Sequence, residues 1–309
     1  MNAAPSSSLV TDMRRTVAGE VSENEPLAPK LSIRTGGAAE LYVRPWDFND
    51  VVRVLQYVKL EGLALTVLGG GNNTLVGDGG VPGVTLKLPA NLAVEEVAAT
   101  ERGGRVTLGG GAAIVRLIHQ MKLNGWVGAE ALAGIPGTLG GAVTMNAGTK
   151  NGECMASVDA VELATADGIG WVERRELSFR YRHTELPKDS VVTRVRFVLL
   201  RGDVDASKAA MDADLAYRRR SQPLSQPNFG SVFTNPTGHH AGALIDGVGL
   251  KGHIVGAAQI SPLHANWIVN LGGAMAADVV ALMSLMQARV FEATGVELTP
   301  EVKRMGVFQ

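Results

Sequence analysis

The chain has 309 residues, 46% of them hydrophobic and 19% charged, enough to bury a large core over two or three domains and too apolar for a disordered protein. Its 29 Lys and Arg stand against 30 Asp and Glu, a formal charge of -1 that speaks against a surface built to neutralise nucleic-acid phosphates. One cysteine, Cys154, leaves no intramolecular disulfide or cysteine-based zinc site, and no apolar run long enough for a signal-peptide core or a membrane span occurs, so a cytoplasmic setting is expected.

Residues 1–25 are polar and read as a flexible arm or a short amphipathic helix. An apolar run at residues 39–43 precedes Val51, Val54, Leu55 and Val58 at helical spacing, with Asp47 or Asn49 as the cap. Strand-like runs at 63–68 and 83–88 complete a β-α-β-loop-β unit over residues 36–90. A strand at 106–108 leads into an amphipathic helix over 113–123, closed by Asn124 and Gly125. Three further runs, 158–164, 170–174 and 191–200, predict an antiparallel sheet, the first two joined at Asp167 and Gly168. Helical patterns over 209–220 and 276–293 frame a separate domain.

Glycine is the anomaly: 38 residues, about one in eight against roughly 7% in ordinary chains, and clustered. Gly69, Gly70, Gly71, Asn72 and Asn73 follow a strand, where bare N–H groups can form an anion nest; a tight turn between strands explains five residues equally well. Thr74 and the absent helix behind it break the Rossmann fingerprint, and no P-loop pattern occurs. The second loop holds Gly134, Ile135, Pro136, Gly137, Thr138, Gly140, Gly141 and Ala142, flanked by apolar residues, and describes a backbone held close to something flat or phosphorylated. Two such loops suggest a dinucleotide, with a packing contact between lobes as the alternative.

The six histidines form no H-E-x-x-H pattern, and no metal site is expected. Ser231 lacks the second glycine of a nucleophile elbow. Arg182, in the run FRYRH, is an anion clamp or an ordinary surface arginine, and Glu301 near the C-terminus would be solvated by default.

Taken together, these residues resemble the UDP-N-acetylenolpyruvoylglucosamine reductase (MurB) family. The resemblance is carried by RTGG at 34–37, VLGGGNNTLV at 67–76, GAEALAGIPGTLGGAVTMNAG at 128–148 and YR at 181–182. It continues through GSVFTNP at 230–236, AGALIDGVGLKG at 241–252, HANWIVN at 264–270 and TPEV at 299–302. It implies an α+β protein with a two-lobed FAD-binding fold of the vanillyl-alcohol-oxidase (PCMH-like) type and a C-terminal α/β substrate-binding domain. The divisions expected are the arm at 1–25, one lobe at 26–98 completed by the tail at 298–309, a second lobe at 99–204, and the substrate domain at 205–297.

The family reaction takes a hydride from NADPH onto non-covalent FAD and then to C3 of UDP-N-acetylglucosamine enolpyruvate, giving UDP-N-acetylmuramate for peptidoglycan. By resemblance the two glycine loops hold the FAD, Arg182 stabilises the developing enolate, Glu301 assists it and Ser231 protonates C2. Tyr181, Asn235, His264, Asn266 and Asn270 are candidate substrate contacts, and a monomeric bacterial enzyme is implied. Two departures stand out: Thr234 occupies a position often lysine in the family, a charge that Arg218, Arg219 or Arg220 could supply, and no long insertion carrying a tyrosine lid separates Arg182 from Ser231. The rival readings are a flavin oxidase of the same superfamily and a catalytically silent nucleotide-sugar binder.

Overall fold

A computed structural model describes residues 7–92 and 95–308. The stretch read from sequence as a flexible arm is built into the first lobe from residue 7 onward; residues 1–6 of that stretch lie outside the described residues. Helix α1 (Ser7–Thr16) buries Val10, Met13 and Val17, and the strand Glu20–Pro26 pairs antiparallel with Ala38–Arg44. The buried carboxylate of Asp50 accepts from the amides of Ala18 and Trp46, which fastens the chain after α1 to the next helix.

That helix, α2 (Phe48–Glu61), starts where the Asp47 carboxylate accepts from the amide of Asp50 and stops at Gly62, whose φ of 63° supplies the left-handed cap. Its apolar stripe of Val51, Val54, Leu55 and Val58 covers one face of a four-stranded sheet. The sheet runs Glu20–Pro26, Ala38–Arg44, Val81–Leu86, Leu65–Val67, the last three parallel. The C-terminal strand Lys303–Met305 returns to pair in parallel with Thr74–Val76.

The second lobe is an antiparallel sheet in the order Gly168–Glu173, Val158–Thr165, Val191–Arg201, Gly103–Gly109, Glu95–Thr100, with Trp126–Val127 beside the end of the central strand. Sequence patterning missed the edge strand Glu95–Thr100 because every residue in it is exposed, leaving no alternation to detect. Helices α3 (Ile114–Leu123) and α4 (Leu139–Thr144) pack on this sheet.

Helix α5 (Val204–Ser221) sits differently from the sequence-based division at residue 205. It belongs by contact to the second lobe: Met211 lies in that lobe's core, Ser207 donates to Glu130, and Arg218 donates to the carbonyl of Gly134. The third unit is an antiparallel sheet ordered Asn228–Ser231, Trp267–Asn270, Ala258–Ile260, Ile254–Val255, covered by α6 (Ala241–Gly247) and α7 (Ala276–Thr294). Its core is continuous with that of the first lobe: Phe229, Phe233 and Ile268 bury themselves with Leu31, Ile33, Leu68 and Leu75. The Asp78 carboxylate accepts from the first amides of α7, Ala276 and Ala277, locking the two units together.

Candidate active site

Where the three units meet lies a cavity of about 1600 Å³. That exceeds the roughly 300–1,000 Å³ of a common small-ligand pocket and leaves room for two ligands side by side. One wall is backbone. Among the described residues, none of the five N–H groups from residue 69 to 73 donates a hydrogen bond to protein, the arrangement of an anion nest. Lys87, largely buried so that its pKa is lowered, holds the loop from below through the Gly69 carbonyl at 2.6 Å. A Cβ on Gly70 would stand 2.7 Å from Cα of Gly137 and 2.5 Å from Asn72 Oδ1, so the two glycine loops touch there.

The second loop spends its later amides on neighbouring carbonyls and on its own cap, while those of Gly134, Gly137 and Thr138 donate to no group among the described residues. Leu139 donates to Ala112, Gly140 to Gly110, and Gly141 to the Thr138 hydroxyl that caps α4. A Cβ on Gly141 would meet only that hydroxyl, at 3.3 Å, and otherwise project into the cavity. Gly140 and Gly141 thus clear a surface rather than offer donors.

A second wall is made of side chains. The hairpin of Phe179–Arg180 and His183–Thr184 turns through two residues, and the second, Arg182, has φ 59° where glycine or asparagine is usual. Its guanidinium is mostly buried: Nη2 donates to the Gly148 carbonyl at 2.8 Å, Nε lies 3.3 Å from Glu301 Oε1, and Nη1 has no hydrogen-bond partner among the described residues. Burial raises the pKa of Glu301, opposed by the charges of Arg182 and then Lys303. Ser231 ends the strand Asn228–Ser231 after Gly230, whose φ is 85°, and its hydroxyl bonds to no other described residue. The backbone draws these parts together: the amide of Glu301 donates to the Val232 carbonyl at 2.8 Å, and Asn73 Nδ2 donates to the Glu301 carbonyl at 3.1 Å.

All thirteen residues named for the two glycine loops line the cavity, as do Arg182, Ser231, Glu301, Asn235, His264 and Asn266. Asn266 spends its amide on both backbone groups of Phe233, so it fixes the segment after Ser231. Asn235 accepts from Ala241 at the start of α6, and His264 Nδ1 accepts from the Asn266 amide while burial lowers its pKa, favouring neutral imidazole.

Two of the candidate substrate contacts lie outside the cavity lining. Tyr181 does not line the cavity; it is 47% exposed and stacks against the Arg182 guanidinium at 4.8 Å. Asn270 is buried away from it, donating to the Ile33 carbonyl and accepting from Gly272 and Ala274. Its role there is to join the third unit to the first lobe. Lys30, Arg34, Lys251 and Lys303 also line the cavity; Arg34 and Lys251 fall within the motifs RTGG and AGALIDGVGLKG, whereas the sequence singled out neither Lys30 nor Lys303. Of the three arginines weighed for the charge missing at Thr234, Arg218 and Arg219 line it and Arg220 does not.

Residues 222–305 match the family model of the UDP-N-acetylenolpyruvoylglucosamine reductase C-terminal domain, and residues 39–171 that of an FAD-binding domain. Over 289 residues the chain is 63% identical to UDP-N-acetylenolpyruvoylglucosamine reductase of Myxococcus xanthus, covering 94% of this chain and 93% of that one. The chain belongs to the UDP-N-acetylenolpyruvoylglucosamine reductase family. A more distant member from Bacillus velezensis is 38% identical over 301 residues, 96% of this chain and 98% of its own. The crystal structure of the family's Thermus caldophilus member superposes with a TM-score of 0.78 at 34% identity, covering 93% of this chain and 98% of that one. The family's C-terminal domain begins at residue 222, after α5, in keeping with the packing of that helix on the second lobe. The free amides of residues 69–73 and the bare surface around Gly141 fit the pyrophosphate and flat ring system of FAD.

Proposed function

We propose that this protein is the NADPH-dependent reductase that converts UDP-N-acetylglucosamine enolpyruvate to UDP-N-acetylmuramate in peptidoglycan synthesis. One observation carries the reading: Arg182, Ser231 and Glu301, far apart in sequence, line the same cavity as the free-amide loop. Cytoplasmic residence, a monomeric state and NADPH as donor belong to the proposal; among the described residues no helix is long and apolar enough to cross a membrane.

Bound FAD supplies the hydride, taken from NADPH and given to C3 of the enol ether. The chain's own residues manage the charge that this addition drives toward C2 and the adjoining carboxylate. Arg182, whose guanidinium lines the cavity, binds the carboxylate. Glu301, its acid form favoured by burial, sits against Nε and shares in stabilising the enolate. Ser231 delivers the proton to C2 from a hydroxyl that no neighbour engages. Asn266 keeps the segment behind it in register, and Arg218 and Arg219 add positive charge beside the second glycine loop for a diphosphate.

The test is an anaerobic absorbance spectrum of the purified protein before and after NADPH, followed by the enolpyruvyl substrate. The expected result is flavin colour that bleaches with NADPH and returns with the substrate. Colour that returns only with air would support an oxidase, and a colourless protein that FAD cannot reconstitute would support a silent binder.

A further inference from the structure

Each guanidinium nitrogen of Arg182 faces something different, and the least explained is Nη1. Nε meets Glu301 and Nη2 the Gly148 carbonyl, whereas Nη1 lies 3.9 Å from Glu153 Oε1, near enough for charge attraction and too far for a hydrogen bond. Glu153 is held there with care. Its other oxygen accepts from Asn146 Nδ2 at 2.8 Å, and the same Nδ2 donates to the Arg180 carbonyl, two residues before Arg182, at 3.1 Å. Asn146 is fully buried with φ 40°, and its Oδ1 accepts from the Met155 amide. A non-glycine residue persists in that conformation only where its surroundings over-determine it, and here three side-chain hydrogen bonds do so. One asparagine thus clamps both the Glu153 carboxylate and the hairpin that carries Arg182.

We propose that Glu153, held by Asn146, is a positioning residue that orients the Arg182 guanidinium toward the substrate carboxylate. At 3.9 Å the attraction sets direction without using up a donor. The proposal rests on the reading that Arg182 binds that carboxylate. Glu153 itself stands outside the residues assigned to the chemistry.

The test uses the full-length, FAD-loaded protein and follows the return of flavin colour with saturating enolpyruvyl substrate under anaerobic conditions. Glu153→Gln keeps the oxygen that Asn146 needs and removes the charge. It is expected to slow this half-reaction about 10-fold, within the range known for small misplacements of a catalytic group, with bleaching by NADPH and the melting temperature unchanged. Glu153→Asp, which keeps the charge, is expected to recover part of the rate; a purely structural role would make the isosteric Gln the better substitute. In an Arg182→Ala background, Glu153→Gln is expected to add nothing. A wild-type rate for Glu153→Gln, Gln outperforming Asp, or the full 10-fold loss repeated in the Arg182→Ala background would each overturn the proposal. Wild-type turnover by Arg182→Ala alone would remove the underlying role of Arg182 as well, which separates failure of the foundation from failure of the inference.

Discussion

The two walls of the cavity are built from different material. On the side of residues 69–73 five backbone amides stand free, and the side chains near them serve the loop: Lys87 supports Gly69, and Asn73 reaches Glu301. On the side of Arg182 the backbone is spent on hairpins and strand pairing, while the side chains of Arg182 and Ser231 keep donors unspent. Amides on a packed loop are suited to hold a constant group such as a pyrophosphate, because they cannot titrate or swing. Reaction at a changing centre requires groups that can give a proton or meet a developing charge. Substitutions on the first wall should therefore cost cofactor, and those on the second should cost one half-reaction.

The largest effect is expected at Gly70. Any Cβ there meets the backbone of Gly137, so Gly70→Val must push the two loops apart. The variant is expected to purify almost without FAD, read as the ratio of flavin to protein absorbance; full occupancy would break the division between the walls.

Glu301→Gln sharpens the second wall. In the wild type the flavin-reoxidation step is expected to slow as pH rises through the raised pKa of Glu301, because its acid form is lost, and the variant is expected to lack that limb. Stability follows the same sign. The folded protein holds this proton more tightly than the unfolded chain, so the penalty for ionising Glu301 is full above its folded pKa and disappears as pH falls toward 4.5. Unfolding measured across that window should give a flatter profile for Glu301→Gln than for the wild type.

The smallest effect is expected at Thr138, whose hydroxyl caps α4 by accepting from Gly141. Thr138→Ala should cost about 1 kcal/mol, a fall in melting temperature of roughly 2 °C for a chain of this size. FAD should be retained, since the amides of residues 69–73 are untouched.

Much of this was legible in the sequence where one local rule was enough. Helix α2 announced itself by Asp47 and the spacing of Val51, Val54, Leu55 and Val58, and α7 by its long apolar period, whereas the Gly62 cap came from the structure. Both glycine loops were visible as clusters, yet only the structure shows that the amides of residues 69–73 are all unspent while those of Leu139, Gly140 and Gly141 are spent, because that difference lies in hydrogen bonds made across the fold. Tyr181 and Asn270 show the converse: polar residue type beside a motif says nothing of direction, and these two turn to Arg182 and to the Ile33 carbonyl. The meeting of Arg182 with Glu301 depends on the C-terminal strand Lys303–Met305 returning to Thr74–Val76, a long-range pairing that no spacing encodes. The solitude of Cys154 already ruled out an intramolecular disulfide, and the structure adds that burial pushes its thiol up to about 12.

The division between the walls is tested most directly by Ser231→Ala in an anaerobic single turnover. The expected result is normal FAD content and normal bleaching by NADPH, followed by a return of colour with the enolpyruvyl substrate that is slowed by roughly 10²- to 10⁴-fold. Loss of FAD or of the NADPH step in this variant, or recolouring at the wild-type rate, would contradict the assignment of the proton to Ser231 and with it the separation of holding from chemistry.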